Sequence, residues 1–194
     1  MPSKDLVLRT MHDVGLAGWF GGALAGAVGI NGAANDVSDP TERLKVASAG
    51  WARWAPVSAV AIGAHLIGAV GLVATNRDRI KNQDGVAAAS AGKTLVTVLA
   101  LAATAASGYL GQQKSNYDPV PTEGGVKPAE TTPPDVASRQ QQLRALQWTI
   151  PSLTGVLVAL TAQQGELQKP GNIVLGAARK KFAAGTRAVR SQLG

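Results

Sequence analysis

VGLAGWFGGALAGAVGINGAA, the stretch from Val14 to Ala34, decides how this chain is read. It carries no charged residue, and Asp13 and Asp36 stand just outside it. At about 1.5 Å of rise per residue, a helix of this length crosses the roughly 30 Å hydrocarbon layer of a bilayer. Three further uncharged windows follow, Ala55–Thr75, Thr94–Gln113 and Ala145–Gly165. They are bounded by Arg53 and Arg77, by Lys93 and Lys114, and by Arg144 and Glu166. The expectation is an all-α fold: an integral membrane bundle of four antiparallel transmembrane helices, with spans at 14–34, 55–75, 94–113 and 145–165. A soluble bundle with alanine-rich buried helices is the competing reading. It fits less well, because buried helices of soluble proteins are usually shorter and amphipathic.

Composition agrees. The 194 residues are 45% hydrophobic and only 16% charged, against about 25% charged in an ordinary soluble domain. The chain holds no Cys, which excludes a disulfide framework, a thiolate metal site and a cysteine nucleophile. No phosphate-binding loop, dinucleotide fingerprint or zinc spacing occurs; Gly92-Lys93-Thr94 lacks the earlier glycine of a P-loop. The N-terminal segment does not have the form of a cleavable signal peptide. The chain is not expected to be an enzyme.

The 19 Lys+Arg and 12 Asp+Glu give a net charge of +7. With four spans, one side of the membrane holds twelve basic and five acidic residues and the other seven of each. All the excess charge thus lies on one side, which places both termini in the cytoplasm of a multi-pass cell-membrane (inner or plasma membrane) protein. Trp51, Trp54 and Trp148 then fall at the outer interface, where an apolar ring with one polar N–H is favoured.

The loops differ. In Asn35–Gly50, Ser38 or Asp39 can cap a short helix holding Glu42, Arg43 and Lys45. The outer loop 114–137 contains Pro119, Pro121, Pro128, Pro133 and Pro134 with Gly124 and Gly125, and reads as an extended, solvated linker rather than a strap for a partner. Residues 1–166 form the transmembrane domain, and 167–194 a basic cytoplasmic tail. In the tail Val174, Ala178, Phe182, Gly185, Val189 and Leu193 share one helical face. Arg179, Lys180, Lys181, Arg187 and Arg190 would meet the anionic inner leaflet, with Phe182 dipping into it. Nucleic acid is not the expected partner.

Two features inside the spans carry function. Gly15, Gly18, Gly22, Gly26 and Gly29 make a flat stripe on the first helix, and close backbone approach is what drives helix association in lipid. The stripe can serve packing within the bundle, homodimerisation, or a cofactor lying against it. His12 and His65 are the only histidines, and an ionisable group at membrane depth is a functional candidate. His65 could bind haem iron or copper, relay a proton, or bond a neighbouring carbonyl. Counted along the spans, His12 sits at the mouth of the first and His65 near the middle of the second. They are then some 10–15 Å apart in depth at 1.5 Å per residue, so a ligand pair is not expected. Asn31 and the hydroxyls of Thr94, Thr97, Thr104, Ser107, Thr149, Ser152, Thr154 and Thr161 are the milder polar groups. They suit inter-helix packing or, less commonly, a hydrated path.

The stretch His12-Asp-Val-Gly-Leu-Ala-Gly-Trp19-Phe-Gly21-Gly22 resembles the first-helix pattern His-x6-Trp-x-Gly-Gly of the copper resistance D-like four-helix membrane proteins and their uncharacterised relatives. The likeness covers eleven residues, the four-span layout and a histidine in the second span. It implies a role in copper handling, His12 as a ligand, and Trp19, Gly21 and Gly22 as packing positions. The chain departs from that role in lacking Cys and in having Met only at Met1 and Met11, so soft ligands for copper(I) are scarce.

The leading expectation is a non-catalytic scaffold or accessory subunit. It would pack through its first helix against a second copy or a larger membrane complex. The alternative is a haem- or copper-binding protein using His65 and His12. A small-molecule transporter or oligomeric channel is the third.

Overall fold

The computed structural model describes residues 4–77, 86–114 and 119–167. The fold is almost entirely helical. Helix α1 (Lys4–Ala25) runs through a π-helical turn (Gly26–Ile30) into the short α2 (Asn31–Asn35). Then come α3 (Arg43–Thr75), α4 (Val86–Lys114), a hairpin of β1 (Thr122–Gly124) and β2 (Lys127–Pro128), and α5 (Pro134–Leu167). Two compact units are present, Met1–Val158 and Ala159–Gly194; of the second, only the last turns of α5 are among the described residues. The basic tail, with Arg179, Lys180, Lys181, Phe182, Arg187 and Arg190, lies outside them.

Four helical segments are long and apolar enough to cross a membrane: Lys4–Asn35, Arg43–Thr75, Ala88–Gln113 and Pro134–Gln163. Each begins before its uncharged window. Val60, Ile67 and Val70 on α3 and Leu95, Val98 and Leu99 on α4 are exposed. The buried set, by contrast, is rich in Ala, Gly, Asn, Gln, Thr and His. Bulky residues such as Trp19, Leu16, Leu143 and Leu157 are buried as well, so the departure from a water-soluble fold lies in the extent of apolar surface left facing outward.

The pair α1–α3 is joined at backbone level. A Cβ at Gly15 would collide with the Ala61 carbonyl and the His65 amide, and one at Gly68 with the Leu8 carbonyl and the His12 amide. Gly22 lies under the Trp54 indole and Gly26 under the Trp51 indole. Each glycine inside a helix costs about 1 kcal/mol relative to alanine, so its placement here reflects the close approach it permits. The other helices join through side chains. Trp19 (1% exposed) packs with Ala23, Ala100, Ala103 and Ile150 and donates from Nε1 to Thr104 Oγ1 at 3.2 Å.

Two readings of the loops are corrected. Residues 43–54 do not form a separate short capped helix. They are the first turns of α3, and Asp39 instead closes the preceding turn, its Oδ1 accepting from the Thr41 amide (2.9 Å) and hydroxyl (2.7 Å). The proline-rich segment is not a solvated linker in its described part. Its hairpin is tied to the 36–42 turn by Thr122 N–H donating to the Pro40 carbonyl at 3.1 Å. Arg43 donates to the carbonyls of Val37 (2.8 Å) and Thr122 (3.2 Å). Gly124 and Gly125 sit against Asn35, Asn31 and Ala47, where a Cβ has no space. Too few apolar residues mark this segment for it to read as folded. Polar bonds hold it, and those have no sequence period.

Candidate functional site

His12 and His65 meet. Their ring centroids are 4.4 Å apart and tilted by 42°, which corrects the expectation of separate depths. The error came from starting the first helix at Val14. Helix α1 begins at Lys4, so His12 lies inside it and faces the stretch of α3 that holds His65. The local pattern is the same on both helices: His12-x-x-Gly15 and His65-x-x-Gly68. Each glycine admits the backbone of the other helix at its histidine. This repeated spacing was the signal available in the sequence for a reciprocal crossing.

The hydrogen bonds fix the tautomers. His65 Nδ1 stands 3.1 Å from the His12 carbonyl oxygen, which can only accept, so Nδ1 carries the proton. His12 Nδ1 stands 2.7 Å from Asp13 Oδ1, and the same reasoning applies. In the neutral rings both Nε2 atoms are then bare lone pairs. His65 is 2% exposed, and its Nε2 is buried without a partner among the described residues. Anchoring a ring through Nδ1–H to a carbonyl or carboxylate is how metal-binding histidines are commonly oriented. Trp19 flanks the pair, 6.0 Å from the His65 ring.

The donor set admits some groups and not others. Among the described residues no cluster of three or more His, Cys, Asp or Glu could hold a metal ion. Haem does not fit, because an iron on the enclosed His65 Nε2 would have no open side. With metal–nitrogen bonds of about 2 Å, two imidazoles sharing an ion lie with centroids some 5–6 Å apart. The rings at 4.4 Å are therefore stacked, and to share one they must part by about 1–2 Å and turn their Nε2 atoms toward each other.

Gly15, Gly18, Gly22 and Gly26 of the stripe face α3; a Cβ at Gly29 would meet nothing within 4 Å. The π turn explains this, because its wider winding carries Gly29 off the face set by the earlier glycines. Asn31 closes that turn, its amide N–H donating to the Gly26 carbonyl. The Asn31 side chain donates to Gln147 Oε1 (2.7 Å) and the Ala27 carbonyl (3.2 Å), and accepts from Trp51 Nε1 (3.1 Å). Gln147 was not singled out in the sequence, although an amide inside an uncharged window is its signature. The hydroxyls of Thr94, Thr97, Thr104, Thr149, Ser152 and Thr154 bond carbonyls four residues earlier on their own helices. The Thr161 hydroxyl is buried without a partner among the described residues.

Comparison with known proteins finds no matching family model, no similar curated protein and no similar solved structure. The resemblance of the His12–Gly22 stretch is carried by its own residues.

Proposed function

We propose that this chain is a non-catalytic, multi-pass membrane protein whose ligand centre is the His12–His65 pair, and that its ligand is a copper ion. Four long apolar helices with bulky side chains outward support a bilayer setting, as an antiparallel bundle. The charge asymmetry supports cytoplasmic termini. The observation that carries the ligand reading is the bare, buried Nε2 of His65, whose ring is locked through Nδ1. A buried acceptor without a donor costs about 1–3 kcal/mol, and a bound cation would remove that cost. Two neutral imidazoles are donors that would suit copper. His12 and His65 would hold it once the rings part. Copper bound there supplies a cation for storage or transfer. Asp13 keeps the His12 proton on Nδ1, the His12 carbonyl keeps the His65 proton on Nδ1, and the packed glycines exclude water.

The test is elemental analysis with a copper(I) chelator competition on detergent-purified protein, wild type beside His65→Ala. An absorption spectrum is recorded as well, since copper(I) is colourless and haem is not. Near one copper per chain, lost in His65→Ala, is the expected result. A wild type that leaves all copper with the chelator rejects the reading.

The accessory-subunit reading is supported by a separate observation. Gly21 on α1, Gly29 in the π turn and Gly108 and Gly111 on α4 face open space among the described residues, where a glycine gains nothing from these neighbours. Cross-linking in native membranes tests it, and a chain that stays monomeric without partners speaks against it.

A further inference from the structure

A concavity lies beyond the C-terminal end of α1, past the π turn. A cavity of about 140 Å³ opens where α2, the hairpin and α5 converge, lined by Asn31, Asn35, Val126, Lys127, Arg144 and Trp148. No carboxylate lines it. Lys127 has only a long contact with Glu123, at 3.9 Å between half-exposed groups, and such pairs contribute little. Arg144 makes no ion pair or hydrogen bond among the described residues. Two exposed cations from segments seventeen positions apart in sequence thus share the lining of one concavity that holds no carboxylate. The floor is the π turn, through Ala27 and Asn31, and single π turns inside α-helices are found mostly at functional sites. Trp148, half exposed at the rim, is the residue type favoured at headgroup depth.

We infer that this cavity binds a phosphate group, with the Arg144 guanidinium as a two-pronged donor, Lys127 as a point charge and the Asn35 amide as a neutral donor, since both amide hydrogens of Asn31 are given to Gln147 and Ala27. The volume suits one tetrahedral oxyanion and the ester atoms next to it. The same chemistry is offered by an anionic lipid headgroup and by free phosphate. The inference is independent of copper, and only its lipid arm shares the membrane reading.

Full-length protein in neutral detergent is incubated with phosphatidylglycerol and read by native mass spectrometry, and separately titrated with inorganic phosphate by calorimetry. Wild type, Lys127→Gln/Arg144→Gln, Arg144→Lys and the surface control Lys45→Gln are compared, with thermal unfolding to verify folding. The lipid arm is expected to show at least a fivefold loss of retained phosphatidylglycerol in the double variant, partial retention in Arg144→Lys and none lost in Lys45→Gln. Saturable phosphate binding that the double variant loses, without lipid retention, also supports the site and assigns it to the free anion. Equal binding of both probes by the wild type and the folded double variant overturns the inference, as does binding of neither by the wild type.

Discussion

Asn31, at the start of α2, and His65, on α3, are both buried polar side chains, and their surroundings treat them in opposite ways. Asn31 spends both its oxygen and its nitrogen, on Trp51, Gln147 and Ala27. His65 is bonded on one nitrogen and bare on the other. A fully matched polar network defines one packing arrangement and loses stability when any member goes. A half-matched group adds less to stability and keeps a lone pair for something else. On the proposed reading, the contrast is that between an architectural site and a ligand site.

The largest effect should come from the backbone contact that underlies both. Gly68→Leu and Gly15→Leu each drive a side chain into the opposing helix, and at the upper end of overpacking costs they should lose about 3 kcal/mol or more. Gly29→Leu, with open space beside it, should unfold like wild type. Thermal unfolding in detergent, followed by circular dichroism, checks all three. Equal tolerance at positions 15 and 29 would break the assignment of the stripe to α3.

Next comes the contrast itself. Asn31→Leu strands Trp51 Nε1 and Gln147 Oε1 and should cost about 3 kcal/mol. His65→Leu loses one bond, worth about 1 kcal/mol, and also removes an unpartnered buried atom, so it should cost less than half as much. The same unfolding measurement decides. A His65→Leu loss as large as that of Asn31→Leu would mark His65 as architectural.

The smallest effect lies at the turn beneath the hairpin. The bonds from the Thr41 hydroxyl and amide hold the Asp39 carboxyl below its ordinary pKa of 3.8. A carboxylate depressed in the folded state stabilises it above the unfolded value, and that contribution disappears as pH falls through the folded value. Thr41→Val should move the Asp39 titration, followed by carbon-13 NMR, back toward 3.8, with little change in stability at neutral pH. An unmoved titration would show that the turn is held by other bonds.

The readability of the two sites differs for a physical reason. The glycine stripe and the apolar windows are periodic, so they can be counted along the chain. His12 and His65 could be named as candidates, but their meeting depends on where α1 starts, and charged residues at a helix end hide that start. The Asn31 network joins residues as distant as Gln147 through single polar contacts, and the hairpin over it is held by Arg43 and Thr122 rather than by apolar spacing. Neither leaves a period to read.

What the sequence by itself determined is the helical class, the four apolar segments and the short inventory of polar residues within them. Hydropathy and helical length act locally, and lipid-length windows leave few alternatives. What only the tertiary structure decided is which polar groups are satisfied. The crossing of α1 and α3 brings two histidines into one stack, and the folded hairpin brings Lys127 beside Arg144. Whether a side chain ends up matched or bare depends on atoms contributed by other segments, and no single segment encodes them.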